Sequence, residues 1–394
     1  MRRSRVQSIP TSIPTSIPTS TASSTRRATD VSRARSEKAS AGSAAAPARA
    51  EESVDEVAAP EQPAPEHPAP EHPATAGHGH PAEDACSVLW DHDGTSAFGT
   101  AATAGFFVAV EQPGPWGREA ARECHLDPEL ALELDARCVR AGGRFMLIRR
   151  PGPHSERPGP RRVLVAHAGD HPAQSWLVAA DREHLGDLLG LDWGALARGS
   201  KALVMASLTG SRTADPTLLV CTNGRRDVCC AVRGRPVAAA AAASAPDRVW
   251  EVSHTGGHRF APTAVLLPWG QTYARLDEKT AGWVLGASMD GHTPVELLGG
   301  AHDRGRSGLD PASQCAESTV RAAIAETRLA ALAAGPPTPS GEGSEVTVAH
   351  VDGRSWLVHV VRAPKGVQRP ESCGKAAIDV LEFHGEIVEG PDQQ

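Results

Sequence analysis

Three cysteines within ten residues, Cys221, Cys229 and Cys230, stand one strand–helix–strand passage ahead of a histidine pair, His254-Thr-Gly-Gly-His258. No other feature constrains the chain as much. Thr217-Leu-Leu-Val-Cys221 is a short apolar run that reads as a buried strand ending in a loop, Thr222–Cys230. The spacing then predicts a helix from Pro236 to Ala243 and a second strand at Val249-Trp-Glu-Val252. In a parallel sheet the loops after successive strands emerge at one edge, where α/β folds place their ligands. The cysteine loop and the histidine loop should therefore converge. Gly256 and Gly257 allow the sharp turn that would aim both imidazoles at one point.

Two thiolates and two imidazoles make a four-donor set. It suits Zn²⁺, or a [2Fe–2S] cluster in which histidines replace half the thiolates. Spacing alone does not separate the two. The chain has eight cysteines in 394 residues, too sparse for a secreted disulfide scaffold. Outside the cluster, Cys86, Cys124, Cys138, Cys315 and Cys373 read as ordinary buried thiols.

The expected fold class is α/β. Phe106–Val110 and Arg144–Ile148 read as strands around a helix opened by Asp127-Pro128, and Val163–Ala166 and Trp176–Val178 as two more strands before a helix over Arg182–Arg198. The second half repeats the order. After Val249–Val252 come a hairpin-like pair, Ala264–Leu267 and Thr272–Leu276, and a helix at Glu278–Ser288. Strand, loop, helix, strand, two strands, helix is the thioredoxin-like plan, so two such modules in tandem are expected, only the second with cysteines in its loop. A capped helix from Asp310-Pro311 to Ala334 and strands at Ser344–Val351, Ser355–Val361 and Ala377–Phe383 complete the chain. The resulting map is a disordered tail (1–84), an N-terminal module (85–205), a cluster-binding module (206–300) and a C-terminal helix with short strands (301–394). The tail's SIPT repeats and Ala/Glu/Pro segment, with His67, His72, His78 and His80, lack the apolar surface needed to order a chain.

The net charge of −7 offers no basic face for nucleic acid, and no run reaches the roughly 18 apolar residues of a membrane span. The Arg- and Ser-rich start has no continuous apolar stretch of the secretory kind, which makes the cytoplasm the expected compartment.

CTNGRRDVCCAVRGRPVAAA at 221–240 and VWEVSHTGGHRFAPTAVLLPWGQTYARLD at 249–277 resemble the sucrase/ferredoxin-like family, which includes the fungal thioredoxin-like ferredoxins. The likeness extends to EQPGPWGREA at 111–120, IRRPG at 148–152 and RPESCGK at 369–375. It implies a [2Fe–2S] cluster ligated by Cys221, Cys230, His254 and His258, with Cys229 left unassigned. The implied function is single-electron transfer between unidentified donor and acceptor proteins, with protons coupled through the histidines. Sugar hydrolysis, which the family name suggests, is not expected, because no pair of carboxylates can be nominated for it. Two other classes compete: a zinc-stabilised binding module using the same four ligands, and a thiol oxidoreductase. The vicinal Cys229-Cys230 pair, unlike a Cys-x-x-Cys motif, argues against the latter. Arg225, Arg226 and Arg259 could dock a redox partner or pair with Asp227. Trp116, Trp250 and Trp269 read as packing residues.

Overall fold

The computed structural model describes residues 83–153 and 158–391; the expected tail, with its histidines and SIPT repeats, lies outside them but for Glu83 and Asp84. A first helix, α1, spans Cys86–His92. Strand β1 (Phe106–Glu111) is an apolar run buried almost throughout, followed by α2 (Pro128–Arg140) and β2 (Arg144–Arg149). The Asp127 carboxylate accepts from the Leu130 amide and Pro128 fills the first helical position, as the sequence suggests. Strands β3 (Arg161–His167) and β4 (Trp176–Arg182) form an antiparallel pair.

The helix expected over Arg182–Arg198 is instead a 3₁₀ turn at Leu185–Gly190 and two short helices, α3 (Trp193–Ala197) and α4 (Lys201–Ser207). Asp192 starts α3 afresh by capping the Ala195 amide, and Gly199, at φ 73°, breaks the chain again before α4.

After β5 (Arg212–Thr213) the second half contains β6 (Thr217–Cys221), α5 (Val228–Ser244), β7 (Val249–Val252), β8 (Ala264–Leu267), β9 (Gln271–Tyr273), α6 (Glu278–Ser288) and β10 (Asp303–Arg306). Here α5 begins two turns before the expected Pro236, because the Asp227 carboxylate caps it by accepting from the Cys229 amide. Pro236 lies inside the helix, whose alanine run has high helix propensity.

All ten strands form one curled sheet, in the order β10-β9-β8-β6-β7-β2-β1-β3-β4-β5. Each half repeats one pattern. In the first, β1 lies parallel to β2 and antiparallel to β3, which pairs with β4; in the second, β6 stands likewise to β7, β8 and β9. The halves meet where β2 runs antiparallel to β7, with Ile148 opposite Val252 and Arg149 opposite Glu251. Alternate residues along the strands divide between the two faces. Phe107, Ile148, Leu219 and Trp250 share one core that spans both halves, while α2 packs on Val108 in one half and α5 and α6 on Val220 in the other.

Helix α7 covers only Pro311–Ala323 and does not reach Ala334, since Ala325 takes a left-handed φ of 52°. The chain then enters a second, smaller sheet: β11 (Leu332–Ala334), β12 (Thr338–Ser340), β13 (Gly343–His350), β14 (Ser355–Pro370) and β15 (Ala377–Glu389). Helix α7 packs on this sheet through Ala316 and Val320 against Val348 and Val358. The turn between β14 and β15 reaches back to α1, where Trp90 Nε1 donates to the Pro370 carbonyl at 2.9 Å and Arg369 pairs with Asp93 at 2.8 Å.

Candidate metal centres

Strands β6 and β7 run parallel, with Cys221 opposite Val252, so the loops that follow them leave the same edge of the sheet. The expected convergence occurs. The Cys221 thiol adjoins Cys230 and His254, Cys230 Sγ lies 3.5 Å from His258 Nδ1, and the two imidazole centroids are 5.0 Å apart. Both thiols are 1% exposed and both imidazoles are half-buried. Gly256 and Gly257 take φ values of 82° and 72°, the left-handed turn that lets the two rings face each other.

Cys229 and Cys230 stand in the first turn of α5 and not in a loop. Successive helical side chains diverge by about 100°, so the two cannot address the same point. Cys230 faces Cys221 and His258. Cys229 faces Cys373, with Sγ atoms 3.3 Å apart.

The hydrogen bond from Cys230 holds the Cys221 thiol well below its ordinary pKa in spite of burial, and the same bond pushes Cys230 up. Burial pushes both histidines down, His258 to about 4. Near neutral pH the rings are therefore uncharged, the form in which imidazole ligates metal. His254 Nδ1 is buried without a hydrogen-bond partner, so the donor set fits a metal group.

Two guanidinium groups hold the histidine loop by its carbonyls. Arg144 donates to the His254 and Thr255 oxygens, each at 3.3 Å. Arg304, 1% exposed, donates to the Gly256 oxygen at 2.9 Å and to the Thr100 carbonyl. A Cβ on Gly257 would come within 2.5 Å of Arg304 Nη2. Gly257→Ala should therefore cost about 1–3 kcal/mol from the left-handed backbone, with a further loss of bound metal as His258 is displaced. Denaturant midpoints and metal content of the purified variant check both.

Among the described residues, one group of metal-donor side chains has every donor atom within 4.8 Å of the others: Cys86, Asp227, Cys229 and Cys373. This tight set is not the expected pair of cysteines and pair of histidines. Cys86 and Cys373 are not the isolated thiols their spacing suggests. Asp227 caps α5 and accepts from the Cys373 amide and the Ser372 hydroxyl, with no ion pair to Arg225 or Arg226 among the described contacts. The vicinal cysteines and the RPESCGK segment were the signals in the sequence, but nothing local joins them.

Of the three arginines singled out, Arg259 pairs with Glu371 at 3.2 Å and Arg225 turns its amide to Asn223 Oδ1. Arg226 lines a cleft of about 270 Å³ together with Arg118, Arg144, Asp135 and His254. Trp116 and Trp250 are buried beneath the guanidinium groups of Arg149 and Arg150, which lie 4.1 and 3.8 Å from the ring centroids.

Residues 98–297 match the family described as sucrase/ferredoxin-like. No curated protein and no solved structure shows a match.

Proposed function

We propose that this chain, which belongs to the sucrase/ferredoxin-like family, holds a [2Fe–2S] cluster between Cys221, Cys230, His254 and His258 and passes single electrons. The observation that supports this most is the meeting of two buried thiols and two neutral imidazoles at the common edge of β6 and β7. A cluster held there would supply reversible one-electron chemistry.

The chain's own contribution is to set charge and access. Two thiolates in place of four bring two fewer negative charges, so the site should accept an electron more readily than plant-type ferredoxins, at about −400 mV. Arg144 and Arg304 add positive charge beside Cys221 and fix the histidine loop, which favours the reduced state further. The cleft lined by Arg118, Arg226 and His254 gives donor and acceptor proteins an approach to one imidazole. The repeated strand pattern supports reading each half as a thioredoxin-like module. Where β6 ends in Cys221, β1 ends in Glu111, which leaves the first half without ligands for this cluster. No helix among the described residues is long and apolar enough to cross a membrane.

Full-length protein purified without oxygen should be red-brown, with about two irons and two acid-labile sulfides per chain, and should bleach reversibly on reduction. Colourless protein free of iron and sulfide would sink the proposal, and one zinc bound by these four residues would favour the binding-module alternative.

A further inference from the structure

The structure assigns a second metal site to this chain: Cys86, Cys229 and Cys373, with the Asp227 carboxylate, bind one Zn²⁺ independently of the donors around Cys221. The three sulfurs form a nearly regular triangle, with Cys229–Cys373 at 3.3 Å and Cys86–Cys229 and Cys86–Cys373 each at 3.6 Å. Thiolates around a tetrahedral ion at about 2.3 Å stand about 3.8 Å from one another, so small side-chain adjustments close the site. The Asp227 oxygens lie 3.7 and 3.8 Å from Cys86 Sγ and complete the fourth vertex. They already accept from the Cys229 and Cys373 amides and the Ser372 hydroxyl, bonds that orient the carboxylate and still leave it a lone pair.

The distances select among the alternatives. An iron–sulfur cluster would spread three thiolates over different irons, whereas these three address a single point. A disulfide would shorten one edge to about 2.05 Å and leave the third thiol buried beside it without a partner of its own kind. A sulfur-rich tetrahedral set with one oxygen donor matches zinc. Binding exchanges the thiol protons, released to solvent, for three sulfur–zinc bonds. It also offsets the cost of burying four potential anions together.

The site joins three separate segments: the start of α1, the first turn of α5 and the turn between β14 and β15. Cys86 and Cys373 both lie outside residues 98–297, so this site combines the family region with chain on either side of it.

The test is zinc content and Co²⁺ substitution in the full chain. We expect one Zn²⁺ per chain, replaceable by Co²⁺ with the near-ultraviolet thiolate-to-cobalt absorption of a tetrahedral site. Cys229→Ala and Cys373→Ser should lose that metal but keep the visible absorption expected from the other site, and Cys221→Ala should keep the zinc. Cys373 is part-exposed in a turn, so its serine variant supplies a folded control if Cys229→Ala does not fold. Wild-type protein that binds neither ion would overturn the assignment, as would zinc retained in Cys373→Ser, or a Cys229–Cys373 disulfide found in metal-free protein by alkylation and mass spectrometry.

Discussion

Cys221→Ala and Cys230→Ala should each abolish the visible absorption of protein purified without oxygen, while Cys229→Ala keeps it. The contrast between two adjacent cysteines follows from helix geometry. Cys229 and Cys230 occupy consecutive positions in the first turn of α5, and a rotation of about 100° per residue sends their thiols to different neighbours. Cys230 meets His258 and Cys221, whereas Cys229 meets Cys86 and Cys373. Cys221 has no substitute at the end of β6, and alanine there leaves three donors in place of four. Iron, sulfide and the absorption spectrum of the three variants are the measurements. Loss of colour in Cys229→Ala with retention in Cys230→Ala would reverse the ligand assignment.

Glu251→Ala should destabilise the protein by about 3–5 kcal/mol, the range for breaking a buried ion pair from one side. Arg149 Nε and Glu251 Oε2 are 2.8 Å apart, with side chains only 7% and 2% exposed, on directly opposed residues of β2 and β7. Alanine leaves the Arg149 guanidinium buried, with the Pro113 carbonyl at 3.3 Å and the Trp116 ring still beside it among the described residues. The Thr222 hydroxyl, which donates to the same carboxylate at 2.8 Å directly after Cys221, loses its acceptor too. Bound metal should therefore fall along with stability. Replacing both partners, Arg149→Met with Glu251→Leu, removes the stranded charge and should recover most of the loss, because apolar replacement of a buried pair is often neutral or better. Urea unfolding of the single and double variants separates the two effects. A cost below about 1 kcal/mol for Glu251→Ala would mean that water reaches the pair.

The large sheet was legible because its inner strands advertise themselves. Phe106–Glu111, Thr217–Cys221 and Val249–Val252 are short, mainly apolar runs bounded by loop residues, the pattern of strands buried on both faces, and the charge inside the last, Glu251, is paired with Arg149. Asp127-Pro128 and the run beginning at Glu278 likewise gave α2 and α6 nearly to the residue. The start of α5 was hidden because Pro236 imitates a first-turn proline while the real cap, Asp227, lies among arginines and reads as one half of an ion pair. The region after β4 misled for a related reason. Its leucines and alanines suggest helix, but Gly186, Gly190 and Gly194 interrupt the run, Asp192 caps a fresh start, and Gly199 breaks the chain again.

The four residues around Cys221 could be found because one βαβ passage brings them together, and the parallel register of β6 and β7 does the rest. Cys86, Asp227, Cys229 and Cys373 could not. Only Asp227 and Cys229 are neighbours in sequence; the contacts that bring in Cys86 and Cys373 span between 141 and 287 positions, across three segments that no local pattern connects. Each thiol taken singly looks like a small hydrophobe.

The position of Cys373 in the chain also orders biosynthesis. All ten strands of the large sheet, through Arg306, leave the ribosome before the hairpin of β14 and β15. Chains begin to fold from the N-terminal side during translation, so a nascent sheet can present Cys86 and Cys229 while their third partner is still unmade. An ion captured then is held by two thiols and a carboxylate and can still exchange. One captured after the hairpin folds back is enclosed. The timing of metal supply relative to elongation should thus decide which ion the finished protein keeps, and pulsing cells with different metals during and after synthesis would read that choice directly.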